Sequence, residues 1–180
     1  MDHVVALIGS LRRDSVNRSI FKHYQAQAKG HFELVEGEIH DLPFYNADIS
    51  PEPPQVVRLA EKIKTSQGVL FFSPEYNYSI PGVLKNAIDW LSRNESQPFN
   101  GKAAAILGAS PGNIGTARMQ YHLRQVGVFL NLNFLNKPEV MIGQAMTKIQ
   151  DGQLVDEATQ GFLAKHLEAF VAFYKQHVKP

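Results

Sequence analysis

The chain has no cysteine, which removes disulfide staples, thiolate metal ligands and a cysteine nucleophile at once. Neither sign of charge is in excess: 18 Lys and Arg against 17 Asp and Glu leave a net charge of +1. Such a balance offers no electrostatic footprint for nucleic acid or an anionic membrane, and turns attention to a small-molecule partner. No apolar run approaches the roughly 20 residues that span a bilayer. Met1-Asp2-His3 leads directly into a short apolar run with no charged leader, so a cytoplasmic protein without membrane insertion is expected. The seven histidines, His3, His23, His31, His40, His122, His166 and His177, include no pair at zinc-ligand spacing and no H-E-x-x-H; no metal site is expected. Two phosphate motifs are missing as well. Without G-x-x-x-x-G-K-[ST], no lysine is placed for a β/γ-phosphate, and without G-x-G-x-x-G the backbone is not shaped for a pyrophosphate.

What is present is a regular alternation of short apolar runs and helical patterns. Strands are predicted at Val4 to Ile8, Phe32 to Glu36, Val69 to Ser73, Ala103 to Gly108 and Glu139 to Ile142. The Val4, Val69 and Ala103 runs are almost wholly apolar, as strands buried on both faces of a parallel sheet are, whereas the Phe32 run alternates like an edge strand. Helical periodicity fits Asn17 to Ala28, Gln55 to Ser66, Gly82 to Arg93, Thr116 to Gly127 and Glu157 to Val178. Pro51, Pro53 and Pro54 read as a helix lead-in, since proline suits a first helical turn. At 180 residues the chain is most simply one domain over residues 1–180. The predicted fold is α/β: a doubly wound, five-stranded parallel sheet with helices on both faces. Such sheets bind ligands beyond the carboxyl ends of their strands, at the topological switch point.

Three loops fall on that edge. After the first strand comes Gly9-Ser10-Leu11-Arg12-Arg13-Asp14-Ser15-Val16-Asn17, a polar turn feeding a helix start. A helix N-terminus presents unpaired N–H groups and the positive end of its dipole, and Ser10, Arg12, Ser15 and Asn17 add hydroxyl, guanidinium and amide donors. Serine also caps helices, so Ser10 and Ser15 admit that simpler reading. If the loop holds a ligand, a terminal monophosphate fits best. After the third strand, Ser73-Pro74-Glu75-Tyr76-Asn77-Tyr78-Ser79-Ile80-Pro81-Gly82 sets two tyrosines and an asparagine between stiffening prolines. After the fourth, Gly108-Ala109-Ser110-Pro111-Gly112-Asn113-Ile114-Gly115 offers glycines for close backbone approach and feeds a second helix N-terminus, which would stabilise charge on a reduced ring. A phosphate loop, an aromatic loop and a Gly-rich loop together suit a flat heteroaromatic ring with a phosphorylated tail. FMN meets that description.

These segments resemble the NADPH-dependent FMN reductase family, the flavodoxin-like group with chromate, quinone and azo-dye reductases among its members. The resemblance runs from about Val4 to Ile142 and rests on four ordered blocks: GSLRRDSVN at Gly9 to Asn17, DLPFYNAD at Asp41 to Asp48, PEYNYSIPGVLKNAIDWLSR at Pro74 to Arg93, and GASPGNIGTARMQYHLRQV at Gly108 to Val126. It implies that Ser10, Arg12, Ser15 and Asn17 hold the FMN phosphate with the backbone of Val16. Pro74, Glu75, Tyr76 and Asn77 then face the isoalloxazine, and Ser110 with Gly112 to Gly115 follows its polar edge. Arg13, adjacent to Arg12, has no assigned place. The resemblance further implies NADPH or NADH as co-substrate, hydride transfer through flavin N5 in a ping-pong cycle, and a quinone, azo, chromate or flavin acceptor, with no catalytic acid or base from the chain. It also implies a homodimer or homotetramer. Trp90 and the stretch Val126 to Leu130 are candidates for burial by a partner subunit. The competing reading is a flavodoxin-like one-electron carrier; such carriers are by family habit strongly acidic, which this chain is not.

Overall fold

The computed structural model describes residues 2–177. Its strands are β1 (His3–Ile8), β2 (Glu33–Gly37), β3 (Gly68–Phe72), β4 (Ala103–Ala109), β5 (Asn133–Phe134) and β6 (Val140–Ile142), followed by a small antiparallel hairpin, β7 (Ile149–Gln150) with β8 (Gln153–Leu154). The helices are α1 (Val16–Gln27), α2 (Pro54–Lys64), α3 (Gly82–Arg93), α4 (Ala117–Phe129), α5 (Ala145–Lys148) and α6 (Glu157–His177). The predicted end of the last helix, Val178, lies outside the described residues. Pro54 opens α2 at its first position, where its missing N–H costs nothing.

The sheet is parallel throughout, in the order β2-β1-β3-β4-β5, with β6 also paired to β4. This is the doubly wound, flavodoxin-like order, with the switch point between β1 and β3. One expectation needs correction. The fifth place in the sheet is filled not by one strand but by two in series: β5 pairs with Ala103 and Ala104 at the start of β4, and β6 with Leu107 to Ala109 at its end. Pro138 stands between them and has no N–H to give to the ladder. Side chains from α4 serve the carbonyls there instead, Arg124 donating to Leu135 O at 3.0 Å and Gln120 to Val140 O at 2.7 Å.

Strand alternation divides the core in two. Val4, Ala6, Ile8, Leu70 and Phe72 pack with Phe21 and Tyr24 of α1 and Leu163, Phe170 and Tyr174 of α6. Val5, Leu7, Val69, Phe71 and Ile106 pack with α2, α3 and α4 through Ile63, Leu84, Ile88 and Leu123. Burial on both faces is what the continuous apolar runs demanded. Because the strands run parallel, the segments after β1, β3, β4 and β6 emerge on one edge, where the candidate site lies.

Candidate functional site

A cleft of about 140 Å³ at this edge is lined by Ser10, Arg12, Asp14, Ser15, Val16 and Asn17 from the β1–α1 loop, Pro74, Glu75 and Tyr76 from the β3–α3 loop, Ala109, Ser110 and Pro111 after β4, and Met146 of α5. Of the residues expected at a ligand, nine therefore meet around one hollow: Ser10, Arg12, Ser15, Val16, Asn17, Pro74, Glu75, Tyr76 and Ser110. Asn77, Gly112 and Gly115 stand outside its lining.

The β1–α1 loop carries free donors. Ser15 occupies the N-cap position of α1 in extended conformation, yet its side chain makes no capping hydrogen bond, and no acidic residue sits in the first turn. A hydroxyl that merely capped the helix would have taken an N–H there; this one takes none. Ser10 Oγ accepts only a long contact from the Arg12 N–H at 3.4 Å. Arg12 pairs with no carboxylate among the described residues. Two hydroxyls, a guanidinium and the opening N–H groups of a helix thus share one end of the cleft, a donor set suited to a phosphate dianion. Arg13 lies apart from it, lining with Arg18 and Lys22 a larger groove of about 580 Å³ that runs along α1 to the β7–β8 hairpin.

Asn17 is occupied differently from its expected role. Its buried amide Nδ2 donates to Ala109 O at 3.0 Å and its Oδ1 accepts the Ala109 N–H at 2.9 Å, stitching the start of α1 to the end of β4. One amide hydrogen remains for a ligand. Asn17 is first a support for the loop.

The aromatic loop is a tight turn. Tyr76 and Ser79 exchange backbone hydrogen bonds at 3.1 and 2.9 Å, and the residues between them, Asn77 and Tyr78, have φ of 51° and 67°. Positive φ at both central positions is a type I′ feature, unremarkable for asparagine and costly for tyrosine. Contacts with α4 hold it: the Arg118 guanidinium lies 3.7 Å from the centre of the Tyr78 ring, and Ser79 Oγ is 2.8 Å from His122 Nδ1. The turn displays Tyr76 at the cleft and keeps Asn77 away from its lining.

The Gly-rich loop and the helix after it also depart from expectation. Gly115 has φ of 66°, and a Cβ there would stand 2.8 Å from the Met141 carbonyl carbon; packing on β6 by itself requires glycine here. One N–H at the N-terminus of α4, the terminus expected to face a reduced ring, is already engaged. Glu75 Oε2 accepts the Met119 N–H at 3.1 Å, and its Oε1 accepts from Arg118 Nε at 2.5 Å. With its side chain only 6% exposed, Glu75 contributes its backbone and its charge to the cleft rather than a free carboxylate.

Comparison with known proteins agrees with this geometry. The sequence profile described as NADPH-dependent FMN reductase matches residues 3–147. An NAD(P)H-dependent FMN reductase of Pseudomonas aeruginosa is 46% identical over 169 residues, covering 92% of this chain and 91% of the relative. A quinone reductase of Escherichia coli is 45% identical over 179 residues, with 96% and 95% covered. The solved structure of FerB, a flavoenzyme NAD(P)H:(acceptor) oxidoreductase from Paracoccus denitrificans, superposes with a TM-score of 0.90 at 40% identity over 98% of this chain and 99% of that one. The chain belongs to the NADPH-dependent FMN reductase family. It is accordingly an oxidoreductase with FMN as cofactor and NAD(P)H as reductant, and the cleft's donor set fits the group: hydroxyls, Arg12 and the α1 N-terminus for the phosphate, with Tyr76 and the proline-stiffened loop beside a flat ring.

Within this FMN reductase fold, Trp90, Asn86 and Met146 take places the sequence did not suggest. Trp90 is not a surface awaiting a partner: it is 3% exposed, its Nε1 donates to Pro43 O at 2.8 Å and its ring meets Tyr45 edge-to-face at 5.0 Å. Asn86 completes that clasp, donating to Pro43 O at 2.9 Å and accepting the Tyr45 N–H at 2.8 Å. The block Asp41 to Asp48, chemically mute in sequence, is thus a flap pinned to α3. Met146 lies beyond the loops after the first, third and fourth strands, in the helix that follows β6. The same carboxyl-edge rule applied after Ile142 reaches it, and the backbone fixes it there, Gln144 N–H donating to Gly112 O and Ala145 N–H to Ser110 O, each at 3.0 Å. Among the described residues no cluster of three metal-ligating side chains occurs, and no helix is long and apolar enough to cross a membrane.

Proposed function

We propose that this chain is an NAD(P)H-dependent FMN enzyme that reduces quinones by a ping-pong cycle. The observation that carries the reading is the β1–α1 loop, where Ser15 stands at an N-cap without capping and Arg12 has no acidic partner among the described residues, beside the Tyr76 turn. The quinone reductases among its relatives, at 45% identity, supply the acceptor class; azo, chromate and free-flavin acceptors are the wider range the family resemblance admits.

When bound, FMN would supply the hydride chemistry, through its N5, between the nicotinamide and the acceptor. Ser10, Arg12, Ser15 and the backbone at Val16 and Asn17 would hold the phosphate; Pro74, Glu75 and Tyr76 would stand beside the ring and Ser110 along its polar edge, with Asn77 and Gly112 to Gly115 bordering these positions outside the cleft lining. No side-chain acid or base of the chain moves a proton in this scheme. In this scheme reductant and acceptor would take turns at one face of the bound flavin.

The reading comprises one FMN-binding domain over residues 1–180, cytoplasmic, acting on small molecules and not on nucleic acid. It includes a homodimer or homotetramer, supported by Val128 and Phe129, 79% and 72% exposed on α4, and no longer by Trp90. Sedimentation at micromolar concentration tests the assembly.

Initial rates against NADPH or NADH at several quinone concentrations test the cycle. Parallel lines in double-reciprocal form are expected. If the flavin-loaded protein is not reduced by either nucleotide in anaerobic stopped flow, and accepts electrons only from one-electron donors, the carrier reading replaces this one.

A further inference from the structure

We infer that Glu75 is a positioning residue that joins the aromatic turn to α4 and sets the charge balance felt by the flavin; the inference rests on the FMN reading above. Its carboxylate does for α4 what the helix's own N-cap residue does not. Thr116 makes no capping bond, its Oγ1 accepting instead from Gln120 Nε2 at 3.0 Å, while the Met119 N–H, three positions into the helix, is taken by Glu75 from another loop. An N-cap carboxylate in trans ties two of the three cleft segments together.

Arg118 extends the tie. It donates Nε to Glu75 and lays its guanidinium over Tyr78, the tyrosine held at φ 67°. One carboxylate therefore fixes the arginine that stabilises the costly turn, and the turn presents Tyr76 to the cleft. Electrostatically, a nearly buried anion lies against the positive end of α4 and cancels it, and Arg118, with its side chain 44% exposed, restores the positive charge. A reduced flavin carries negative charge at its N1–C2=O edge, so the relative strength of this anion and this cation governs how much tighter the reduced cofactor is held than the oxidised one.

Glu75→Gln preserves shape and leaves an oxygen to accept the Met119 N–H, while deleting the charge. The expected result is a midpoint potential of bound FMN shifted positive, the reduced form gaining about tenfold in relative affinity, or ~30 mV for a two-electron couple. Arg118→Met is expected to shift the potential negative, a sign opposition that a merely structural role does not produce. Glu75→Ala, which also frees the turn, is expected to weaken binding of oxidised FMN at least tenfold by fluorescence titration. Unmoved potentials in both Glu75→Gln and Arg118→Met overturn the electrostatic role, and unchanged FMN affinity in Glu75→Ala overturns the positioning role. Failure of the wild-type chain to bind FMN overturns the flavin reading itself and this inference with it.

Discussion

The hydroxyl of Tyr24 lies 2.9 Å from Nδ1 of His166, joining α1 to α6 inside the core, and both residues are fully enclosed. Burial lowers the His166 pKa from 6.5 to about 4, because a charged imidazole finds no water there. Unfolding restores the ordinary value, so the neutral histidine contributes stability that is complete above pH 6.5 and is lost as pH falls from there toward 4. Half-buried His23, also lowered by desolvation, acts in the same direction. The unfolding free energy from urea titration is expected to drop by roughly 2 kcal/mol between pH 8 and pH 5 on account of His166, a window mostly above the carboxylates. In His166→Gln that slope should flatten; an unchanged slope rejects the assignment.

Asn17 and Ala109 give the second prediction. The Asn17 amide satisfies both the N–H and the C=O of Ala109, in a place closed to solvent. Removing it in Asn17→Ala leaves two backbone groups without partners at a cost of roughly 2 to 4 kcal/mol. Denaturation of the flavin-free protein should show that loss in full. A stability like that of the wild type, with flavin affinity alone reduced, would make Asn17 a ligand residue and not a support.

Gly112 and Gly115 look alike in sequence and should behave oppositely. Gly115→Ala forces φ of 66° and a Cβ at 2.8 Å from the Met141 backbone, a combination expected to cost roughly 1 to 3 kcal/mol and a visible fall in melting temperature. A Cβ on Gly112 meets nothing nearer than Ser110 Oγ at 3.9 Å, so Gly112→Ala should stay within about 0.5 kcal/mol of wild type. If Gly112 follows the flavin edge, its alanine variant shows weaker FMN binding without lost stability.

Much of the fold was legible because parallel strands buried on both faces must read as unbroken apolar runs, as Val4 to Ile8 and Val69 to Phe72 do. The split at Pro138 was less legible: Asn133–Phe134 is too short to show a period, and the partner that completes it is β4, thirty residues away in sequence. In the cleft, residue types were readable and their engagements were not. Asn17, Glu75 and Gly115 carry the chemistry of ligand groups, yet each meets a backbone partner brought close only by the sheet: Ala109, Met119 and Met141. Trp90 misled for the same reason, since the flap that covers it comes from forty-odd residues upstream. Arg12 and Ser15 differ in that nothing among the described residues claims their side-chain donors; their place at the phosphate is a proposal.

That freedom makes Arg12 the sharpest test of the phosphate site. An arginine engaged in the fold would lower stability when removed; Arg12 is exposed, and its side chain pairs with no carboxylate among the described residues. Arg12→Ala should therefore leave the melting temperature of the flavin-free protein within about 1 °C, in line with surface substitutions away from structural features. It should at the same time weaken FMN by roughly 1.5 to 3 kcal/mol, the scale of a hydrogen bond to a charged group, or about 10- to 150-fold in Kd. Arg12→Lys should recover only part of this, because an ammonium point charge does not reproduce the planar fork that grips two phosphate oxygens. Riboflavin, which lacks the phosphate, supplies the control: its affinity should be the same for wild type and Arg12→Ala. Equal losses for FMN and riboflavin would place Arg12 at the ring and not at the phosphate, and equal affinities of all variants for FMN would remove it from the site.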